Sequence, residues 1–136
     1  MAIRIMSRAL VLLMPFVFAG LALAQGAPPP LPADPFEAST ITADALARLI
    51  AAPHARLVLF DTRTAPEFEI SHISDAIRIE PGPGADARLA PHLKKAEGAD
   101  VVLYCTIGAR SAGVANDALD RLLAAGARSV LVLELG

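Results

Sequence analysis

The sequence predicts an α/β fold in which a parallel sheet is flanked by helices on both faces, and three observations carry that prediction. Leu57-Val58-Leu59-Phe60 and Val101-Val102-Leu103-Tyr104 are short, wholly apolar runs, the pattern of strands buried on both faces. Helical patterns separate these runs from each other and from a third, Val130 to Leu133, so the connections have to be crossovers joining parallel strands. The chain has 136 residues, 54% of them hydrophobic and 19% charged, which is one domain's worth of core and excludes global disorder.

Taken in order, Met1 to Arg8 carries two positive charges and no acid, and Ala9 to Ala24 is a run of 16 apolar or small residues ending in Ala22-Leu23-Ala24. This reads as a cleavable signal peptide over 1–24, cut before Gln25, and shorter than the roughly 20 residues of a transmembrane helix. The remaining 112 residues are then periplasmic or secreted, with no stable membrane association after cleavage. Residues 25–36 form a linker, since Gly26 to Pro35 holds five prolines and extends as polyproline rather than packing. The folded domain is expected over 37–136.

Within it, Thr42 is placed to cap a helix carrying Leu46, Leu49 and Ile50 on one face, with Ile41 and Leu46 at hydrophobic-staple spacing and Pro53 ending it. The strand Leu57–Phe60 follows and leads to Asp61. Thr64-Ala65-Pro66-Glu67 reads as a capping box opening a short helix. Ala76 to Ile79 is a weaker strand candidate, Glu80 to Gly84 a turn-rich loop, and Arg88 to Lys95 another short helix. The strand Val101–Tyr104 ends at Cys105. A long helix from Ser111 to Ala125 carries Val114, Ala118, Leu119, Leu122 and Leu123, with Gly126 as its C-cap, and Val130 to Leu133 is the last strand.

Charge narrows the function. Without Arg4 and Arg8, ten basic side chains face fourteen acidic ones, a balance that argues against nucleic acid as a partner. A single cysteine excludes an intrachain disulfide and a multi-cysteine zinc site. No carboxylate pair, phosphate loop or metal-ligand cluster stands out.

Chemistry concentrates in Cys105-Thr106-Ile107-Gly108-Ala109-Arg110, which joins a buried strand to the start of the longest helix. In that place successive backbone N–H groups turn toward an anion, and the helix dipole adds partial positive charge. A cysteine at the mouth of such a loop is expected to have a depressed pKa and to react as a thiolate. Gly108 permits the backbone conformation, and Arg110 supplies a cation for an oxyanion or a persulfide. The competing reading is a cysteine packed as a small hydrophobe beside a surface arginine.

These residues are similar to the rhodanese homology domain, here in a single-domain exported form. Cys105-Thr106-Ile107-Gly108-Ala109-Arg110-Ser111 matches the family's C-x-x-G-x-R-[ST] active loop, and Asp61-Thr62-Arg63, Glu67-Phe68 and Ser71-His72-Ile73-Ser74-Asp75-Ala76 resemble its D-x-R…E-[FY]…G-H-I-x-G-A stretch. The resemblance spans about Ile41 to Leu135. It implies a sulfurtransferase in which Cys105 takes a sulfane sulfur from a donor such as thiosulfate and passes it to cyanide or a thiol. Thr106, Ile107, Gly108, Ala109 and Arg110 would bind the substrate, no metal or organic cofactor would be needed, and a further protein partner is compatible with the family. Ser71 and Asp75 replace the two usual glycines, and the loop's x positions carry no basic residue. The family normally continues past Glu134-Leu135-Gly136 into a last helix, so that element is expected to be missing and the last strand to lack its cover.

The supporting residues have plainer roles. Asp61 and Arg63 are expected to pair beneath the active loop, Glu67 to serve Thr64 as capping-box partner rather than as a catalytic acid, and His72 to be a hydrogen-bonded structural residue. Ser111 completes the loop motif. His54 and His92 are expected at the surface, and Tyr104 in the core. Two other functions remain open: a noncatalytic binding or regulatory module that keeps the fold, and a cysteine phosphatase or arsenate reductase. Loops of the latter enzymes place five residues between cysteine and arginine, against four here.

Overall fold

A computed structural model describes residues 38–134. The expected signal peptide and linker lie outside the described residues. The elements in chain order are β1 (Ser39–Ile41), α1 (Ala43–Ala51), β2 (Leu57–Asp61), α2 (Ala65–Ile70), β3 (Ile77–Arg78), α3 (Ala85–Leu89), α4 (Leu93–Ala96), β4 (Asp100–Tyr104), α5 (Ala109–Ala124) and β5 (Ser129–Leu133). All five strands are parallel, in the order β1-β5-β4-β2-β3.

The uninterrupted apolar runs follow from helices on both faces. Val58, Phe60, Val101, Leu103, Val130 and Val132 pack on one side with Val114, Ala115, Ala118 and Leu122 of α5 and with Ala85 and Leu89 of α3. Leu59, Val102 and Tyr104 point the other way and pack with Ile41 and with Leu46 of α1. Residues alternate between these layers with the strand period of two, so β2 and β4 are covered on both faces along most of their length. Ile41 and Leu46 share a layer, as their staple spacing implies, and the Thr42 side chain accepts a hydrogen bond from the Ala45 N–H at 3.3 Å.

Three expectations change. The strand β1 was not foreseen, and its pairing alters the place of β5: Ser39, Thr40 and Ile41 lie opposite Leu131, Val132 and Leu133. The last strand is therefore interior to the sheet, with Val130 and Val132 buried and Leu131 and Leu133 packed against the α1 layer, and it is not the uncovered element expected. The helix expected over Arg88–Lys95 is three pieces, α3, a 3-10 turn at Ala90–His92 and α4. Pro91 lacks the N–H needed to continue an α-helix and sits in that turn. The strand expected over Ala76–Ile79 shrinks to Ile77–Arg78 at the sheet edge, although the Ile79 N–H still donates to the Asp61 carbonyl at 2.9 Å.

Neighbouring strands β2 and β4 bring Asp61 and Tyr104 into register at the carboxyl edge of the sheet. Cys105 follows at that edge, where parallel α/β folds bind ligands.

Candidate active site

Four residues, Cys105 to Gly108, lead from β4 directly into α5. Gly108 occupies the N-cap with φ of +80°, a backbone conformation that side-chain-bearing residues rarely take, while nothing crowds its Cβ direction. The glycine is required by conformation rather than by space. The turn places Cys105, half-buried, beside the first turn of α5, with Ser111 Oγ 3.5 Å from its Sγ. Burial raises the thiol's pKa, but hydrogen bonds from the Ser111 hydroxyl and from the N–H groups of Ser111, Ile107 and Arg110 outweigh it, bringing the pKa to about 7.

Ser111 is fully buried, and its hydroxyl donates to the Gly108 carbonyl at 2.8 Å. It has one proton to share between two acceptors. With Cys105 as a thiol, the S–H donates to Ser111 Oγ and the serine proton stays on Gly108. With Cys105 as a thiolate, the serine proton can turn to sulfur only by releasing the Gly108 carbonyl. The three backbone donors face no such choice and are the more dependable source of the low pKa.

Arg110, expected as a cation for an oxyanion or a persulfide, is itself held by a carboxylate. Its guanidinium forms a two-pronged pair with Glu67, Nη1 to Oε2 at 2.8 Å and Nη2 to Oε1 at 2.9 Å, and also donates to Thr106 Oγ1 at 3.2 Å. Glu67 is the capping partner foreseen, receiving the Thr64 N–H at 2.9 Å and the Thr64 hydroxyl at 2.6 Å, yet it also accepts from Thr106 Oγ1 at 3.1 Å. One carboxylate thus ties the start of α2 to the active loop. Arg110, then Thr64, hold the Glu67 carboxyl far below the ordinary carboxylate range, and Glu67 raises the Arg110 pKa further. Nothing in helix periodicity could reveal this pair, because its members are 43 residues apart; the only sequence sign was that Glu67-Phe68 belongs to the same motif set as the loop.

Asp61 and Arg63 do pair. The fully buried Asp61 carboxylate receives Arg63 Nε at 2.9 Å, Nη2 at 2.6 Å and the Arg63 N–H at 2.9 Å, while Nη2 also reaches the Ser71 carbonyl at 2.6 Å. Burial opposes ionisation of Asp61, but the bonds from Arg63 prevail and lower its pKa. The guanidinium lies 5.7 Å from the ring centre of Tyr104, whose hydroxyl accepts the Ile73 N–H at 3.2 Å. Burial pushes the Tyr104 phenol up to about 12. The Thr62 N–H and hydroxyl both donate to the Tyr104 carbonyl, at 2.9 and 3.1 Å, so the residue before Cys105 is clamped on backbone and ring.

His72 lies on α2's side of the molecule, its Nδ1 2.9 Å from the Phe68 carbonyl and its ring stacked on Phe68 at 3.8 Å, a structural arrangement as expected. Asp75 has φ of +64°, the left-handed conformation suited to the glycine that the motif usually carries there. Of the loop residues, Thr106 and Ala109 are exposed and Ile107 projects with 66% of its surface accessible. His54 is exposed as expected, but His92 is half-buried, its ring tilted against Phe60 at 6.2 Å. Among the described residues no group of three or more His, Cys, Asp or Glu side chains is placed to hold a metal ion.

Comparison with known proteins agrees with the fold. Among solved structures, a rhodanese-related protein from Thermoplasma volcanium superposes with a TM-score of 0.51 at 24% identity, over 72% of this chain and 85% of that one. A Rhodopseudomonas palustris protein of unknown function, described as a possible tyrosine phosphatase, gives a TM-score of 0.52 at 25% identity over 73% of this chain and 76% of that one. No curated protein matches the sequence at a significant level. The family model for the rhodanese-like domain matches residues 42–136, all of the described chain from the cap of α1 onward. The chain belongs to the rhodanese-like domain family.

Proposed function

We propose that the domain is a sulfurtransferase that carries a sulfane sulfur on Cys105. The observation that supports this most is the Cys105 thiol itself, brought to a pKa of about 7 by the Ser111 hydroxyl and the N–H groups of Ser111, Ile107 and Arg110 at the carboxyl edge of a parallel sheet. A nucleophile with pKa near ambient pH combines a large thiolate fraction with retained nucleophilicity. The thiolate attacks the outer sulfur of the donor, the donor's S–S bond breaks, and the rest of the donor leaves with the electron pair. Cys105 is left as a persulfide, whose outer sulfur is then taken by a thiol or by cyanide, returning the thiolate. The Ile107, Arg110 and Ser111 N–H groups hold the anionic sulfur in both half-reactions.

The loop supports sulfur transfer better than phosphatase chemistry because Thr106 to Ala109 is one residue short of a cradle for a tetrahedral oxyanion, and Arg110 is already engaged by Glu67. A sulfur-transfer assay with thiosulfate or a persulfide as donor and cyanide as acceptor tests the reading. Wild-type protein turns over, and Cys105→Ser loses turnover while keeping its circular-dichroism spectrum. Absence of turnover with every donor supports the binding-module reading, and aryl phosphate hydrolysis that depends on Cys105 supports the phosphatase. We also propose that the chain is exported to the periplasm or beyond, on the strength of the Arg4/Arg8, apolar and Ala-Leu-Ala sequence pattern; N-terminal sequencing of the exported protein begins at Gln25 if this is correct.

A further inference from the structure

We infer that the donor serving Cys105 is a persulfide carrying at most one negative charge, rather than a dianion such as thiosulfate. This rests on the sulfurtransferase reading and concerns what the same site accepts. The two guanidiniums of the site are both paired with carboxylates, Arg63 with Asp61 and Arg110 with Glu67, and Arg110 also faces the Cys105 sulfur, so neither is a free cation. The active loop contributes no other charged side chain. With Cys105 ionised, the five groups Asp61, Arg63, Glu67, Cys105 and Arg110 sum to a negative charge.

Most side-chain hydrogen-bond donors beside the loop already have an acceptor as well. Glu67 takes both prongs of Arg110, the N–H and hydroxyl of Thr64, and the hydroxyl of Thr106, which is the only side-chain hydroxyl between Cys105 and Arg110. The Ile107, Arg110 and Ser111 N–H groups are directed at the cysteine sulfur. A sulfonate arriving beyond the transferred sulfur would have to displace a carboxylate held by five donors. Attack on thiosulfate brings two negative charges up to the thiolate and expels sulfite, also a dianion. Attack on R–S–SH instead forms the Cys105–S bond, breaks the inner S–S bond and releases R–S⁻, leaving the proton on the outer sulfur of the new persulfide. With R–S–SH protonated, only the thiolate's charge is present throughout that exchange, and even an ionised persulfide brings one charge where thiosulfate brings two.

The test is the rate at which Cys105 in the purified chain gains a sulfur, read by intact mass, with thiosulfate or cysteine hydropersulfide as donor. Wild-type protein loads faster from the hydropersulfide, and added salt accelerates loading from thiosulfate while leaving the other donor nearly unchanged, because screening relieves repulsion only where the donor is strongly charged. Glu67→Gln keeps a capping-box residue but removes the carboxylate charge, so loading from thiosulfate rises about tenfold and loading from hydropersulfide changes far less. Equal wild-type rates, salt that slows thiosulfate, or no selective gain in Glu67→Gln would overturn the donor assignment while sulfur transfer stands. Failure of both donors to load Cys105 overturns the sulfurtransferase reading itself.

Discussion

Replacing Ser111 with alanine separates the two sources of the low Cys105 pKa. The serine contact to sulfur is 3.5 Å and competes with the 2.8 Å bond to the Gly108 carbonyl, whereas the backbone donors of Ile107, Arg110 and Ser111 survive the change. A hydrogen bond with that competition is worth about 1–1.5 kcal/mol, and about 1.4 kcal/mol is one pKa unit, so the thiol moves from about 7 to about 8. At pH 7 the thiolate share falls from about half to about a tenth, and alkylation by iodoacetamide slows by about fivefold. The plateau rate at high pH is unchanged, because an ionised sulfur no longer depends on its pKa. Loss of the Gly108 partner lowers stability by about 1 kcal/mol, and a melting curve checks that the protein is folded where reactivity is read. The reasoning about the shared proton is refuted if the pKa rises to the free-thiol value of about 8.5 or beyond, which would mean that the serine alone sustains the thiolate.

Two further outcomes concern the frame around the loop. Asp61→Asn strips the charge from a fully buried partner of Arg63 and costs about 3–5 kcal/mol in denaturant unfolding. Because the Asp61 pKa is lowered on folding, its stabilisation is present above the unfolded value of about 3.9 and is lost as pH falls through the folded one, so wild type and Asp61→Asn begin to converge in stability as pH falls below about 4 and come together only below the folded value. At Asp75, where φ is +64°, alanine is expected to destabilise by about 1 kcal/mol and glycine to be neutral or mildly stabilising, measured by thermal melts. A loss in both variants would show that the Asp75 side chain, not the backbone, matters there.

The legibility of this molecule in its sequence follows the range of the interactions. The strands β2 and β4 were plain because burial on both faces leaves every position apolar, and the Thr64–Glu67 cap was plain because its partners are three residues apart. The short β1 was not, since Ser39 and Thr40 are exposed and its place depends on backbone pairing with β5. Pro91 divided a helix that apolar spacing had joined. The loop's glycine, cysteine and buried serine could be read from their order along the chain. The pairing of Arg110 could not be read, because its partner Glu67 reaches it only through the packing of α2 beside the loop.

The central claim, that Cys105 carries a transferable sulfur, is tested most directly by intact and peptide mass spectrometry after exposure to a sulfane-sulfur donor. The account predicts a gain of about 32 Da confined to the Cys105 peptide, removed by cyanide or a thiol and absent from Cys105→Ser. Unchanged mass with both thiosulfate and hydropersulfide, or an adduct that cyanide and thiols leave in place, would contradict it.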